Sequence, residues 1–140
     1  MRLHIIARGK IGRSPEADLV ARYQKRMGQT LLITELPETG GKLPAPPSPS
    51  VTIVLDERGK SLSSAALAKR VGGWRDAGMR EGRFFIGAAD GHDDGLRAQA
   101  DLLLAFGDAT WPHLLARAML AEQLYRAEAI LAGHPYHREG

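Results

Sequence analysis

The run Val51–Leu55 (Val-Thr-Ile-Val-Leu) constrains the fold of this chain more than any other stretch. Five residues that are apolar or β-branched, with no sustained alternation, mark a strand buried on both faces. Such strands belong to parallel sheets covered by helices. Further segments fit that setting. Arg2–Arg8, ended by Gly9, reads as a first strand, Thr30–Leu36 as a second and Arg83–Ile86 as another. Asp101–Phe106 either prolongs the helix before it or forms a fifth strand, and Gly107-Asp108 favours the strand.

Helical signals fall between these runs. Ser14 is a cap followed by Pro15 at the first helical position, Glu16 and Asp18 lie in the opening turn, and Gly28 closes the helix. Ser63 or Ser64 caps a second helix reaching about Gly78, weakened in its middle by Gly72-Gly73. Leu96–Ala100 is a short helix, and Leu114–Leu131, preceded by Pro112 and stopped by Gly133, is a long one whose stripe Leu115, Met119, Leu124 and Ile130 is core or subunit interface. Asp56–Lys60 reads as a polar loop. Pro37–Ser50 holds five prolines and two glycines, so it forms no regular element, yet it is long enough to cross between parallel strands.

The expectation is one domain over residues 1–140: α/β, with a mainly parallel sheet, flanking helices and a site at the carboxyl ends of the strands. Three loops of interest, starting at Asp56, Gly87 and Gly107, follow such ends. With no cysteine, disulfides and thiolate-bound zinc are excluded. No membrane-length apolar run and no signal peptide occur, so a soluble cytoplasmic domain is expected, without a membrane partner.

The net charge of +3 is too small to announce a polyanion partner, but it is unevenly spread. Residues 1–30 carry seven basic groups (Arg2, Arg8, Lys10, Arg13, Arg22, Lys25, Arg26) against Glu16 and Asp18. A basic end of this kind either lies along a phosphate backbone or is a solvated face. Neither dinucleotide-binding nor P-loop glycine patterns occur, and G-x-S-x-G is missing. His134 and His137 are spaced for metal but lack companions, so no metal is expected. Asp90, Asp93 and Asp94 lack the closing glutamate of a calcium loop and read as the start of the short helix.

Four segments, taken together in order and spacing, carry a resemblance. They are Leu55-Asp56-Glu57-Arg58-Gly59-Lys60; Ile86-Gly87-Ala88-Ala89-Asp90-Gly91; Thr110-Trp111-Pro112-His113; and Glu122-Gln123-Leu124-Tyr125-Arg126-Ala127 leading to His134-Pro135-Tyr136-His137-Arg138-Glu139. The chain resembles the RlmH family of ribosomal large-subunit RNA (pseudouridine-N3-)methyltransferases, within the SPOUT superfamily. The resemblance implies a C-terminal trefoil knot and S-adenosyl-L-methionine as cofactor. It also implies large-subunit rRNA within the ribosome as substrate, and a homodimer in which one subunit's tail reaches the other's cofactor site. Carried over by position, cofactor contacts fall at Leu55, Gly87, Phe106, Gly107, Asp108, Ala109, Thr110 and Trp111. Two departures stand out: Ala88 where relatives carry a second glycine, and the shortened Pro37–Ser50. They support an alternative, a catalytically lapsed RNA- or ribosome-binding dimer.

Methyl transfer to an imide nitrogen needs alignment and removal of a proton, and histidine suits the latter near neutrality. His137 is the first candidate base and His113 the second; their other readings are a phosphate contact and a helix cap. Arg138 and Arg126 are candidates for phosphate or imide-anion contacts, although Arg126 also stands four residues from Glu122 as a helical ion pair. Tyr136 either stacks on a flipped base or packs against its own tail. Trp111 either walls the cofactor pocket or is a core residue.

Overall fold

A computed structural model describes residues 1–87 and 94–138 of the chain. Ala88, at which a departure from the family pattern falls, lies outside the described residues, as do Asp90, Asp93 and Glu139. Strand β1 spans Arg2–Arg8 and helix α1 Pro15–Met27, followed by a single 3-10 turn, Gly28–Thr30, and strand β2, Leu31–Leu36. Strand β3 is Ser50–Ser61, helix α2 Ser64–Asp76, strand β4 Glu81–Ile86, helix α3 Asp94–Gln99, strand β5 Leu102–Ala105 and helix α4 His113–Leu131. Ser14 caps α1 by accepting from the Ala17 N–H, and Ser63 caps α2 through the Ala66 N–H. Helix α2 runs unbroken through Gly72-Gly73. Leu102–Ala105 takes the strand alternative.

All strand pairs are parallel, in the order β2-β1-β4-β3-β5. One sheet face carries Leu3, Ile5, Val51, Ile53, Phe84 and Leu104, packed under α1, α2 and α4 in the main core. The other carries Ile6, Leu36, Val54 and Phe85, covered in part by Leu96 and Ala100 at the α3 end. The connections through α1 and α2 move across the sheet in one direction, over the first face. The α3 connection moves the opposite way, over the second face. So does the proline-rich crossover, whose Pro44 carbonyl accepts from Arg83 on that face. A single crossover hand requires this division.

Most element ends fall within two residues of the reading of the sequence; the end of β3 does not. Asp56–Lys60 is not a loop between elements: β3 continues to Ser61, and β5 pairs with it twice, with Leu104 opposite both Leu55 and Lys60. The polar residues between form an irregularity in the strand, where the Asp56 carboxylate accepts from the Arg58 N–H. Gly59 permits it: a Cβ there would come within 2.6 Å of the Leu103 carbonyl carbon. Polarity hid the strand because these side chains belong to an edge, not to the core.

A polar group lies buried on the second face. The His4 ring, 2% exposed, has Nδ1 3.0 Å from the Glu81 carboxylate and Nε2 2.7 Å from the Thr34 hydroxyl, and Arg2 Nε donates to Glu81 at 2.8 Å. Burial holds His4 below its ordinary value of 6.5, against the pull of Glu81. Burial pushes Glu81 upward, but the hydrogen bonds from His4 and Arg2 outweigh it and leave its carboxyl below 4.5. Both folded values lie under the unfolded ones, so the unfolded chain binds more protons and stability decreases as pH is lowered. Chemical denaturation should show a loss beginning as pH drops below 6.5, with a second as it drops below 4.5. His4→Gln removes the first and keeps the second; a flat profile between pH 7 and the carboxylate range would exclude the linkage.

Candidate active site

Strands β4, β3 and β5 are neighbours in the sheet, so topology alone brings Gly87 after β4, the irregularity Asp56–Lys60 within β3 and the loop after β5 to one edge. Half-buried Leu55 and Phe106 both pack against the main core there, and buried Gly87 ends β4. Residues 107–111 belong to no helix or strand and are exposed, with Gly107 at a φ of +79° that a side chain would strain. Side chains hold this edge in shape. The Thr110 hydroxyl donates to the Glu57 carboxylate, tying the last loop to the β3 irregularity. Arg97 reaches Asp56 at 2.7 Å, and the Trp111 indole N–H donates to the Phe106 carbonyl at 2.8 Å, closing the loop on itself. The Trp111 ring is 42% exposed, which rules out the core alternative for it within the single chain. His113 opens α4 directly after this loop, half-buried, so it belongs with the first cluster.

A second cluster forms where the tail turns back on α4. Arg126 donates through Nε at 2.8 Å and Nη2 at 3.1 Å to the two Glu122 carboxylate oxygens. Its Nη1 lies 3.1 Å from His137 Nδ1, and its guanidinium sits 4.8 Å from the Tyr136 ring centroid. Arg126 thus makes the helical ion pair with Glu122 and adds to it a contact with the tail that the sequence did not suggest. Tyr136 meets Tyr125 edge to face at 4.7 Å and donates its hydroxyl to that of Tyr23 at 3.4 Å. Burial, with the Tyr23 hydrogen bond and the Glu122 charge, pushes the Tyr136 phenol up to about 12. In the single chain Tyr136 therefore packs on α4 and α1 rather than against its own tail. Arg138 is exposed, and the His134 Nδ1 accepts from the Tyr136 N–H.

The two clusters do not meet within one chain. Arg126 stands thirteen residues beyond His113 along α4, which at 1.5 Å per residue is about 20 Å.

Two residues that matter to the site were not singled out in the sequence. Tyr23 anchors the tail from α1. Arg117, 1% exposed, crosses from α4 to Glu35 on β2 at 2.5 Å and to the Gly9 carbonyl at 3.0 Å, at the same edge of the sheet. The helical spacing of Arg117, Ala121 and Leu124 was the available signal. The stripe expected on α4 is only partly core: Leu124 is buried and Ile130 packs on the core, while Leu115 and Met119 are half-buried beside it.

Comparison with known proteins gives a consistent result. A family model described as "Predicted SPOUT methyltransferase" matches residues 1–137. The ribosomal RNA large subunit methyltransferase H of Erythrobacter litoralis is 69% identical over 140 residues, covering all of both chains. The protein of the same name from Novosphingobium aromaticivorans is 65% identical over 141 residues, again covering both completely. Among solved structures, a probable methylase family protein from Haemophilus influenzae superposes with a TM-score of 0.64 at 12% identity, over 98% of this chain and 70% of that one. That last likeness is one of fold.

Proposed function

The chain belongs to the SPOUT methyltransferase family, and on that footing we propose that it transfers a methyl group from S-adenosyl-L-methionine to N3 of a pseudouridine in large-subunit ribosomal RNA, acting in the cytoplasm as a homodimer. Full-length identity to methyltransferases named for that RNA carries the substrate class.

The residues at the strand ends suit the cofactor. The main chain of 107–111 lies outside regular structure and is free to offer N–H and carbonyl groups to an adenosine, beside the apolar Leu55 and Phe106. When bound, the cofactor supplies a methyl carbon from which the N3 lone pair displaces sulfur, the C–S bonding pair leaving on the thioether as the N–C bond forms. Leu55, Gly87 and Phe106–Trp111 would hold that donor, with Trp111 as an exposed wall and Asp108 as a carboxylate facing solvent nearby. Tyr136, His137, Arg138 and Arg126 would hold the nucleotide, and His113 stands at the cofactor side.

The separation of about 20 Å along α4 supports the dimer: the nucleotide-side residues of one subunit complete a site only against the cofactor-side loop of another. Half-buried Leu115 and Met119 on α4 are suited to that contact. The C-terminal knot belongs to the same reading.

The experiment is direct. Purified protein, labelled S-adenosylmethionine and ribosomes lacking the mark should yield label in large-subunit RNA, at N3 of one pseudouridine. Cofactor binding without transfer to free RNA, subunits or whole ribosomes would instead favour the lapsed binding protein.

A further inference from the structure

We propose that His137 serves the reaction as a hydrogen-bond donor through Nε2–H rather than as the base that takes the N3 proton, and that Glu122 is the positioning residue that fixes this role through Arg126. The inference rests on the reading of the protein as an N3 methyltransferase.

The argument is one of donors and acceptors. Glu122 binds Arg126 through Nε at 2.8 Å and Nη2 at 3.1 Å, so one edge of the guanidinium, two of its three nitrogens, is committed and its plane is set. The remaining Nη1 faces His137 Nδ1 at 3.1 Å. A guanidinium has only N–H groups to offer, so Nδ1 must contribute its lone pair. The proton of the neutral ring is then on Nε2. To accept another proton, His137 would have to place it on Nδ1, against an N–H of Arg126. That would exchange a hydrogen bond for contact between two cations.

The surroundings reinforce the assignment. From α1, Tyr23 and Arg26 face the cluster; from α4, Glu122, Tyr125 and Arg126; from the tail, Tyr136, with Arg138 following. Glu122, the carboxylate among them, is already engaged by Arg126. Tyr136, pushed up to about 12 by burial first of all, keeps its proton and is no base either.

An Nε2–H donor suits the chemistry. N3 of a pseudouridine lies between two carbonyls, and as its proton leaves to solvent water the negative charge spreads onto their oxygens. A donor held at one of them by a fixed partner stabilises that charge without reorganising. Glu122 thus acts on the reaction only through Arg126.

Full-length protein and unmodified ribosomes provide the test. His137→Gln places an amide N–H near the position of Nε2–H but cannot act as a base, and it should turn over at least about tenfold faster than His137→Ala. A base would lose about 10²- to 10⁴-fold in both. Nitrogen-15 NMR of histidine-labelled protein should show His137 protonated at Nε2 and bare at Nδ1, and Glu122→Gln should shift that pattern toward the mixed tautomers of a free ring. Equal inactivity of the Gln and Ala variants, or a proton on Nδ1, overturns the proposal. Wild-type protein that labels no pseudouridine would refute the substrate reading instead, and the NMR spectrum would still decide the tautomer.

Discussion

Deleting residues 134–140 should reduce rRNA methylation by about 10³-fold, the upper end of the range for loss of a positioned donor in a transition state, while fold and S-adenosylmethionine affinity persist. Helix α4 loses one capping bond with the tail, from the His134 N–H to the Ala129 carbonyl at 2.8 Å, and keeps the rest of its stop: Ala132 and Gly133 N–H groups satisfy the Glu128 and Ile130 carbonyls, and Gly133 supplies the positive φ. The Glu122–Arg126 pair also survives. What the deletion removes from the packed structure is chiefly the Tyr136 ring on Tyr125, a contact of about 0.5–1.5 kcal/mol. In the proposed dimer the tail is assigned to the nucleotide and the 106–111 loop to the cofactor, so calorimetry should give the same cofactor affinity for the truncated and complete chains. Mixing is the sharper measurement. Truncated chains combined with Trp111→Ala chains, each inactive alone, should regain turnover, because a mixed dimer holds one site with an intact loop and an intact tail. Full turnover by the truncated chain, or no recovery on mixing, would remove the tail from the site.

The fold was legible wherever one rule of local chemistry acted without competition. Ser14-Pro15 and Gly28 bounded α1 because caps act within a few residues. Val51–Leu55 showed the parallel sheet because a strand covered on both faces has no polar side to interrupt it. Pro37–Ser50 was legible as a crossover by what it cannot form. The polar half of β3 was not legible, since Lys60 and Ser61 are held by the second pairing with β5, a contact more than forty residues away in sequence. Only Gly59, where backbone approaches backbone, hinted at it.

The site was legible in its parts but not in its assembly. Resemblance selected the three loops and the tail motif, and topology places the loops on adjacent strands. The joining of Arg126 to both Glu122 and His137 could not be read from spacing, which offers only the helical ion pair. Nor could the position of Tyr136 against Tyr125 and Tyr23, because it depends on how the chain turns after Gly133. The length of α4 was legible throughout, and it is the quantity that separates the two clusters.

The largest loss of stability should follow from Arg117→Met. Arg117 is 1% exposed and joins α4 to the carboxyl ends of β1 and β2, donating to Glu35 at 2.5 Å and to the Gly9 and Arg8 carbonyls at 3.0 and 3.3 Å. Burial pushes the Glu35 carboxyl up, but the Ile11 N–H and the Arg117 guanidinium outweigh it and hold the group below its ordinary range. Breaking a buried pair from one side costs about 3–5 kcal/mol. The Glu35 side chain keeps 35% of its exposure and can recover some hydration, which places the single substitution near the lower figure. For a domain of this size that is a fall of about 10 °C in Tm. Methionine preserves most of the volume, so the loss is one of polar partnership and not of packing. Arg117→Met with Glu35→Met should therefore recover stability relative to Arg117→Met alone, since no unpaired carboxylate remains. Recovery should stop short of the wild type because the Arg8 and Gly9 carbonyls still lack their donor. If Arg117→Met unfolds at the wild-type temperature, the buried arginine is not what fastens α4 to the carboxyl ends of β1 and β2.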